Sequence, residues 1–463
     1  MVSQPPSFEC GYECFKLLAS ILNLCLLDRC NQLDEALVTY QAGSYANLQI
    51  VFSVTLSRVI EMQAKISDAG GNCDLIFGWS SSTSRTRQTA LLMPADTLVL
   101  LDILWDYRKD FLKAMLSSSP PPLSGLLFLF LRSIVKQPSL RALDWESTKC
   151  KLHELALRYM LIGEEHWNQH KVMVEILAQI DSEDSIWGRN PKYADTEDSR
   201  CISQAFVNML SNHTLKAFPM QTPYILLRLI VLSVDTHSQG ILPTIVGLLI
   251  EYAWSMVIRV NGEADLVPFV QGLFCSLTML LCPPHNAPYE LADSTQHGLM
   301  TALHQADVLD LVARVIAGLE PAQRVSLPLS DKNAATVQIM FRFFVLFCEI
   351  VPEEKLADCF QDYLTDWWKF NQYMQVNASR VMRSQSGAGA CHDHYKNCSN
   401  IWLWIADGLG LGPTINAHRD PRLCKNPRCP TLFSYNHVHH GCERGCVDCD
   451  QLLVYCNDRC QAV

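Results

Sequence analysis

The residues of this 463-residue chain with the most to do chemically are its cysteines, and they are unevenly spread. Eleven of the twenty lie without regular spacing in residues 1–359; nine fall between Cys391 and the end, with six of the fourteen histidines. In the last forty residues, six cysteines form three successive pairs: Cys424 with Cys429, Cys446 with Cys449, and Cys456 with Cys460. Thiolates separated by two to four residues let one turn aim both sulfurs at a single ion, and two such pairs complete a tetrahedron around zinc. So short a tail has little apolar core, so metal would supply much of its folding energy. Dense cysteines also suit a disulfide framework in an oxidising compartment. The opening MVSQPPSFECGYECFK, however, has no basic segment leading into an apolar run and a small-residue cleavage site. The expectation is therefore an intracellular protein, in nucleus or cytoplasm, that binds zinc.

The segments CKNPRCP and GCVDCDQLLVYCNDRCQ resemble the MYND-type zinc finger, especially the fungal kind in which a helical body precedes the finger. Cys424 and Cys429 match the family's first ligand pair, Cys446 and Cys449 the second, and Cys456 and Cys460 the third. Tyr455-Cys456 and Cys460-Gln461 match its aromatic-Cys and Cys-Gln signatures. The resemblance covers only about the last forty residues. It implies four pairs holding two zincs in an interleaved way, first with third and second with fourth. Two departures stand out: six residues separate Cys449 from Cys456 where the family usually has five, and Val463 comes before a fourth pair, a histidine and a cysteine, could occur. The first zinc would keep Cys424, Cys429, Cys456 and Cys460, whereas the second would keep only Cys446 and Cys449. Truncation is the expected reason; loss of the second site, or its completion by Cys442 with His437, His439 or His440, stays open.

What the resemblance implies about function is a module that binds short proline-containing peptides of partner proteins and does not read nucleic-acid bases. A closed thiolate site shapes a surface and activates no water, so an enzyme is not expected. The alternative is a SET-type lysine methyltransferase-related enzyme using S-adenosylmethionine, suggested by YNHVHHGC at 435–442. That stretch has His439 where the SET motif Asn-His-x-Cys-x-Pro-Asn needs its cysteine, and the motif's proline and final asparagine are absent.

Other chemistry-bearing stretches are weaker. CHDHYKNC offers Cys391, His392, His394 and Cys398, but not as two pairs across a loop. EEHWNQH sets His166 and His170 four apart, with Trp167 where a zincin needs glutamate. GLGLGP at 408–413 has no following helix of the dinucleotide-binding kind, and neither a phosphate loop nor a Gly-x-Ser-x-Gly elbow occurs.

The elements that position the tail belong to a long body. The chain is 49% hydrophobic and 18% charged, with a formal net charge of -10, which argues against a chain-wide nucleic-acid surface. From about residue 12 to 375 apolar residues recur three and four apart. Asp96 stands to cap a helix over 96–116 bearing Leu98, Leu101, Trp105, Leu112 and Met115, and Pro352 separates two helices, the second with Leu356, Phe360, Tyr363, Trp367 and Phe370 on one stripe. These readings predict a mainly α protein with a multi-helical body, an α-solenoid of armadillo or HEAT kind, although no constant repeat period is found and an irregular helical domain stays open. The expected divisions are a body over 1–382, a linker over 383–423 opening on RSQSGAGA, and the incomplete finger over 424–463. The strongest membrane candidate, 266–282, is short for a span, and Glu251 and Arg228 interrupt the other apolar runs, so no membrane association is expected.

Overall fold

The computed structural model describes residues 8–43, 45, 47–79, 89–118, 120–136, 142–162, 167–180, 194–211, 219–259, 263–282, 290–319, 327–383, 388–417, 443–445 and 452–454. The fold is mainly helical, as the periodicity predicts, and divides into two compact units: Met1–Ser238 with Pro283–Tyr289, and Gln239–Cys282 with Glu290–Val463.

The first unit holds α1 (Phe8–Arg29), α2 (Leu33–Gln41), α3 (Leu48–Asp68), α4 (Pro94–Asp106), α5 (Arg108–Ser117), α6 (Ser124–Lys136), α7 (Ala142–Met160), α8 (Trp167–Ile180), α9 (Thr196–Ser211) and α10 (Thr222–Ser233). Local chemistry sets several boundaries. The Asn47 side chain accepts from the Gln49 N–H at 2.8 Å and caps α3. Pro94 starts α4, which places Asp96 in the first turn and not at the cap expected from sequence. Nor is 96–116 one helix: it breaks at Tyr107, where Arg108 donates to the Trp105 carbonyl at 3.0 Å and its guanidinium lies 4.4 Å from the centre of the Trp105 ring.

At the centre of this unit lies α6, whose residues from Ser124 to Leu131 are all buried. It packs against α1, α3, α4, α7 and α8. Its N-terminal amides are buried too, so side chains must satisfy them. Leu123 N–H donates to Tyr159 Oη at 3.1 Å and Ser124 N–H to Gln169 Oε1 at 2.9 Å, while the Gln169 amide donates to the Ser53 carbonyl and to Ser57.

The second unit holds α11 (Leu242–Arg259), α12 (Glu263–Leu281), α13 (Asp293–Gln305), α14 (Val308–Gly318), α15 (Leu327–Ile350), α16 (Glu353–Phe360), α17 (Leu364–Arg383), α18 (Ala388–Gly408) and α19 (Gly412–Ala417), then strands β1 (Glu443–Gly445) and β2 (Leu452–Val454). Pro352 caps α16, with Glu353 and Glu354 in the first turn, as expected. The stripe from Leu356 to Phe370 is interrupted by a 3-10 turn, Gln361–Tyr363, yet Leu356, Phe360, Trp367 and Phe370 are all buried. Helices α12 and α15, α11 and α13, α15 and α18, and α17 and α18 pack in pairs, an arrangement compatible with a solenoid-like body. Trp367 and Trp402 clasp α17 to α18: each indole N–H donates to the other's carbonyl at 3.2 Å, with the rings parallel to within 4°.

Helical packing continues past the glycine- and serine-rich stretch at 383–390. Of the region expected as a linker, 388–417 is occupied by α18 and α19, and Ile401, Trp402 and Ile405 are buried. A Gly/Ser run reads as a boundary in sequence, but the apolar residues after it decide what packs.

Among the described residues, three helical stretches, Cys10–Arg29, Gln239–Arg259 and Asn333–Ile350, are long and apolar enough to cross a membrane by length and composition. The stretch singled out from sequence is a shorter apolar helix, Leu266–Leu281.

Candidate metal centre

The six expected ligands, Cys424, Cys429, Cys446, Cys449, Cys456 and Cys460, lie outside the described residues, as do Cys442, His437, His439 and His440. What the structure supplies between them is a hairpin. Strands β1 and β2 pair antiparallel, Glu443 with Val454, Arg444 with Leu453 and Gly445 with Leu452. Six residues, CVDCDQ, connect them, so Cys446 directly follows β1 and Cys449 comes three residues later. Cys442 directly precedes β1, and Cys456 follows β2 by two residues. The interval between the second and third pairs, one residue longer than the resemblance implies, contains all of β2.

This arrangement bears on the donor set. A chain reversal between Gly445 and Leu452 is what a closely spaced thiol pair needs to aim two sulfurs one way, and six thiols are the donor chemistry of a structural zinc. By residue type alone, these donors suit zinc. Zinc there would hold a small surface in shape.

The other stretches rich in ligand-type residues resolve into packing. CHDHYKNC lies on α18, where Cys391, His394 and Cys398 recur at helical spacing. The Cys398 thiol is 3.8 Å from His394 Nε2, and His392 Nδ1 is 3.4 Å from the Ala378 carbonyl oxygen. Burial pushes the Cys398 thiol up to about 12 and the His394 imidazole down. Both shifts favour neutral side chains, and a thiol held neutral is a poor metal ligand. Among the described residues, no group of three or more His, Cys, Asp or Glu side chains is placed to hold a metal. His170 is buried on α8, and His166 lies outside the described residues. GLGLGP caps a helix: Gly410, at φ 74°, and Leu411 return their N–H groups to Asp407 and Ala406 at the end of α18.

The most developed polar cluster was not foreseen. Arg158, fully buried on α7, makes a bidentate pair with Asp198 of α9 at 2.8 and 2.6 Å and donates to Glu154 at 2.8 Å; Arg108 approaches Glu154 at 3.5 Å. Burial opposes the Arg158 charge, and Asp198 and Glu154 outweigh it, so its pKa is driven further up. Two cations and two carboxylates with direct partners tie α5, α7 and α9 together, which is a cross-brace and not a reactive site. The Glu154–Arg158 spacing was visible in the sequence as an i,i+4 pair, but its depth was not.

No family model, curated protein or solved structure matches this chain.

Proposed function

We propose that this protein is a helical scaffold that presents a zinc-ordered module for binding partner proteins, with short proline-containing peptides as its ligands. The observation that carries the reading is three cysteine pairs in the last forty residues, the second falling in the sequence that joins two antiparallel strands and the third following the second strand. Cys424, Cys429, Cys456 and Cys460 would hold one zinc as a closed tetrahedral site. Cys446 and Cys449, in the hairpin connection, would hold a second ion only if Cys442 and a neighbouring histidine complete it. Zinc supplies folding energy to a segment too short to bury a core, and the surface it orders is the binding face. The net charge of -10 gives no support to phosphate-backbone recognition.

Elemental analysis of freshly purified full-length protein tests the metal. About one zinc per chain is expected from one complete four-thiolate site. Cys429→Ser should abolish it, whereas Cys446→Ser should leave most of it. Retention of a proline-containing peptide by the wild-type protein, lost on chelation and in Cys429→Ser, tests the function. Absence of zinc, with the six cysteines titrating as free thiols, would remove the basis of the proposal.

A further inference from the structure

Helix α1 has two apolar faces, and the first unit covers only one. Tyr12, Phe15, Ala19, Leu22 and Leu26 are buried against the unit. On the opposite side Cys14, Leu17, Ile21 and Leu24 are exposed, Leu17 by 63% and Ile21 by 50%, and Leu18 flanks them at 38%. Their spacing of three, four and three residues is that of a coiled-coil seam, with Cys14 and Ile21 at one core position and Leu17 and Leu24 at the other.

We propose that this outward face of α1 pairs with the same helix of a second copy of the chain, antiparallel, about a twofold axis beside Ala19. Three features of the helix favour its own copy as the occupant. The register that overlaps α1 along its full length seats Cys14 against Leu24 of the second copy and Leu17 against Ile21, so a small side chain meets a large one at each end and two branched aliphatics meet near the centre. Leu18 then meets its own counterpart beside the axis, continuing the apolar contact. Charge selects the direction: Asp28 continues the seam after Leu24, so a parallel pair would set it against its own copy. The antiparallel pair carries it to the other helix's N-terminus, where the helix dipole favours an anion.

The area suits a reversible dimer. The exposed apolar side chains of α1 amount to roughly 400 Å², within the range of patches that mark interaction sites. Leu37 and Val38 of α2, which packs on α1, are exposed as well. Two copies of the α1 seam alone bury roughly 800 Å² of apolar side chain, the size of a transient contact, so a weak and reversible dimer is expected.

Sedimentation of the full chain over a concentration series tests this. The wild-type protein should shift from monomer to dimer as concentration rises. Ile21→Glu and Leu17→Glu should weaken the dimer at least tenfold while leaving helicity unchanged, since neither side chain is part of the core. Leu18→Cys should give a disulfide-linked dimer on mild oxidation, because this flanking position meets its counterpart in an antiparallel pair and lies on opposite sides of the seam in a parallel one. A wild-type chain monomeric at the highest concentration, a dimer indifferent to both glutamates, or failure of the introduced thiol to cross-link within an intact dimer would each overturn the proposal.

Discussion

The buried cross-brace in the first unit makes a quantitative test of how that unit is held together. Arg158 is paired with both Asp198 and Glu154, and Arg108 approaches Glu154 as well. Asp198→Asn keeps the side-chain shape but takes the bidentate carboxylate away from the buried Arg158. Removing one partner from a buried, hydrogen-bonded pair costs about 3–5 kcal/mol. In a unit of this size each kcal/mol moves the unfolding midpoint by roughly 2–4 °C, so a drop of about 10 °C is expected. Replacing both members, Arg158→Met with Asp198→Leu, removes the buried cation together with its bidentate partner and should recover a large part of the loss. Calorimetric unfolding of the wild type, Arg158→Met, Asp198→Leu and the double gives the coupling energy directly. A loss below about 1 kcal/mol in Asp198→Asn, or a double variant no more stable than the worse single, would refute the idea that charge compensation at this depth ties α5, α7 and α9 together.

Other outcomes follow from the same reasoning. Gln169→Leu removes the acceptor of the Ser124 amide and one donor to the Ser53 carbonyl, and should cost about 1–3 kcal/mol in urea unfolding, since the buried Ser124 N–H loses its partner while the Ser53 carbonyl keeps Ser57 Oγ. Gly78 adopts φ 75°, and a Cβ there would sit 2.5 Å from the Thr89 carbonyl oxygen, so Gly78→Ala should destabilise the first unit and increase amide exchange around residues 74–79. Burial raises the thiols of Cys348 and Cys398 from 9.0 to about 12; both should resist alkylation at pH 8 in the native protein, while exposed Cys282 reacts. The same two shifts set a pH dependence. Between 9.0 and about 12 the unfolded chain has released thiol protons that the native state retains, so the second unit should be at full strength below pH 9 and lose stability as pH rises through that window.

Much of the helical body was legible because an amphipathic helix writes its period into the sequence, and the boundary at Pro352 falls where the sequence places it. The breaks at Tyr107 and at Gln361–Tyr363 were not legible, since the apolar stripes stay in phase across them and periodicity cannot register a local change of dihedral angle. Arg158 illustrates another limit. Its i,i+4 partner is local, but Asp198 lies forty residues away and only tertiary packing brings it in. At the tail the thiol spacing was plain, whereas the strands that flank the second pair were hidden, because three-residue strands are too short to show an alternating pattern.

Apolar content alone says even less about which faces are covered. Helix α6 is apolar and buried from Ser124 to Leu131, and its neighbours enclose it. Helix α1 carries two opposed stripes at equivalent spacing, through Tyr12, Phe15 and Ala19 on one side and Cys14, Leu17 and Ile21 on the other; read as sequence, either could have faced the core. The aromatic stripe wins because Phe111 of α5 packs edge-on against both Tyr12 and Phe15, and because Asn23, on the same side, reaches the Pro122 carbonyl at 2.7 Å. Those contacts fix the rotation of α1 about its own axis. Once the rotation is fixed, the second stripe has to face away from the unit, and its exposure follows from how α1 is anchored and not from a shortage of polar residues.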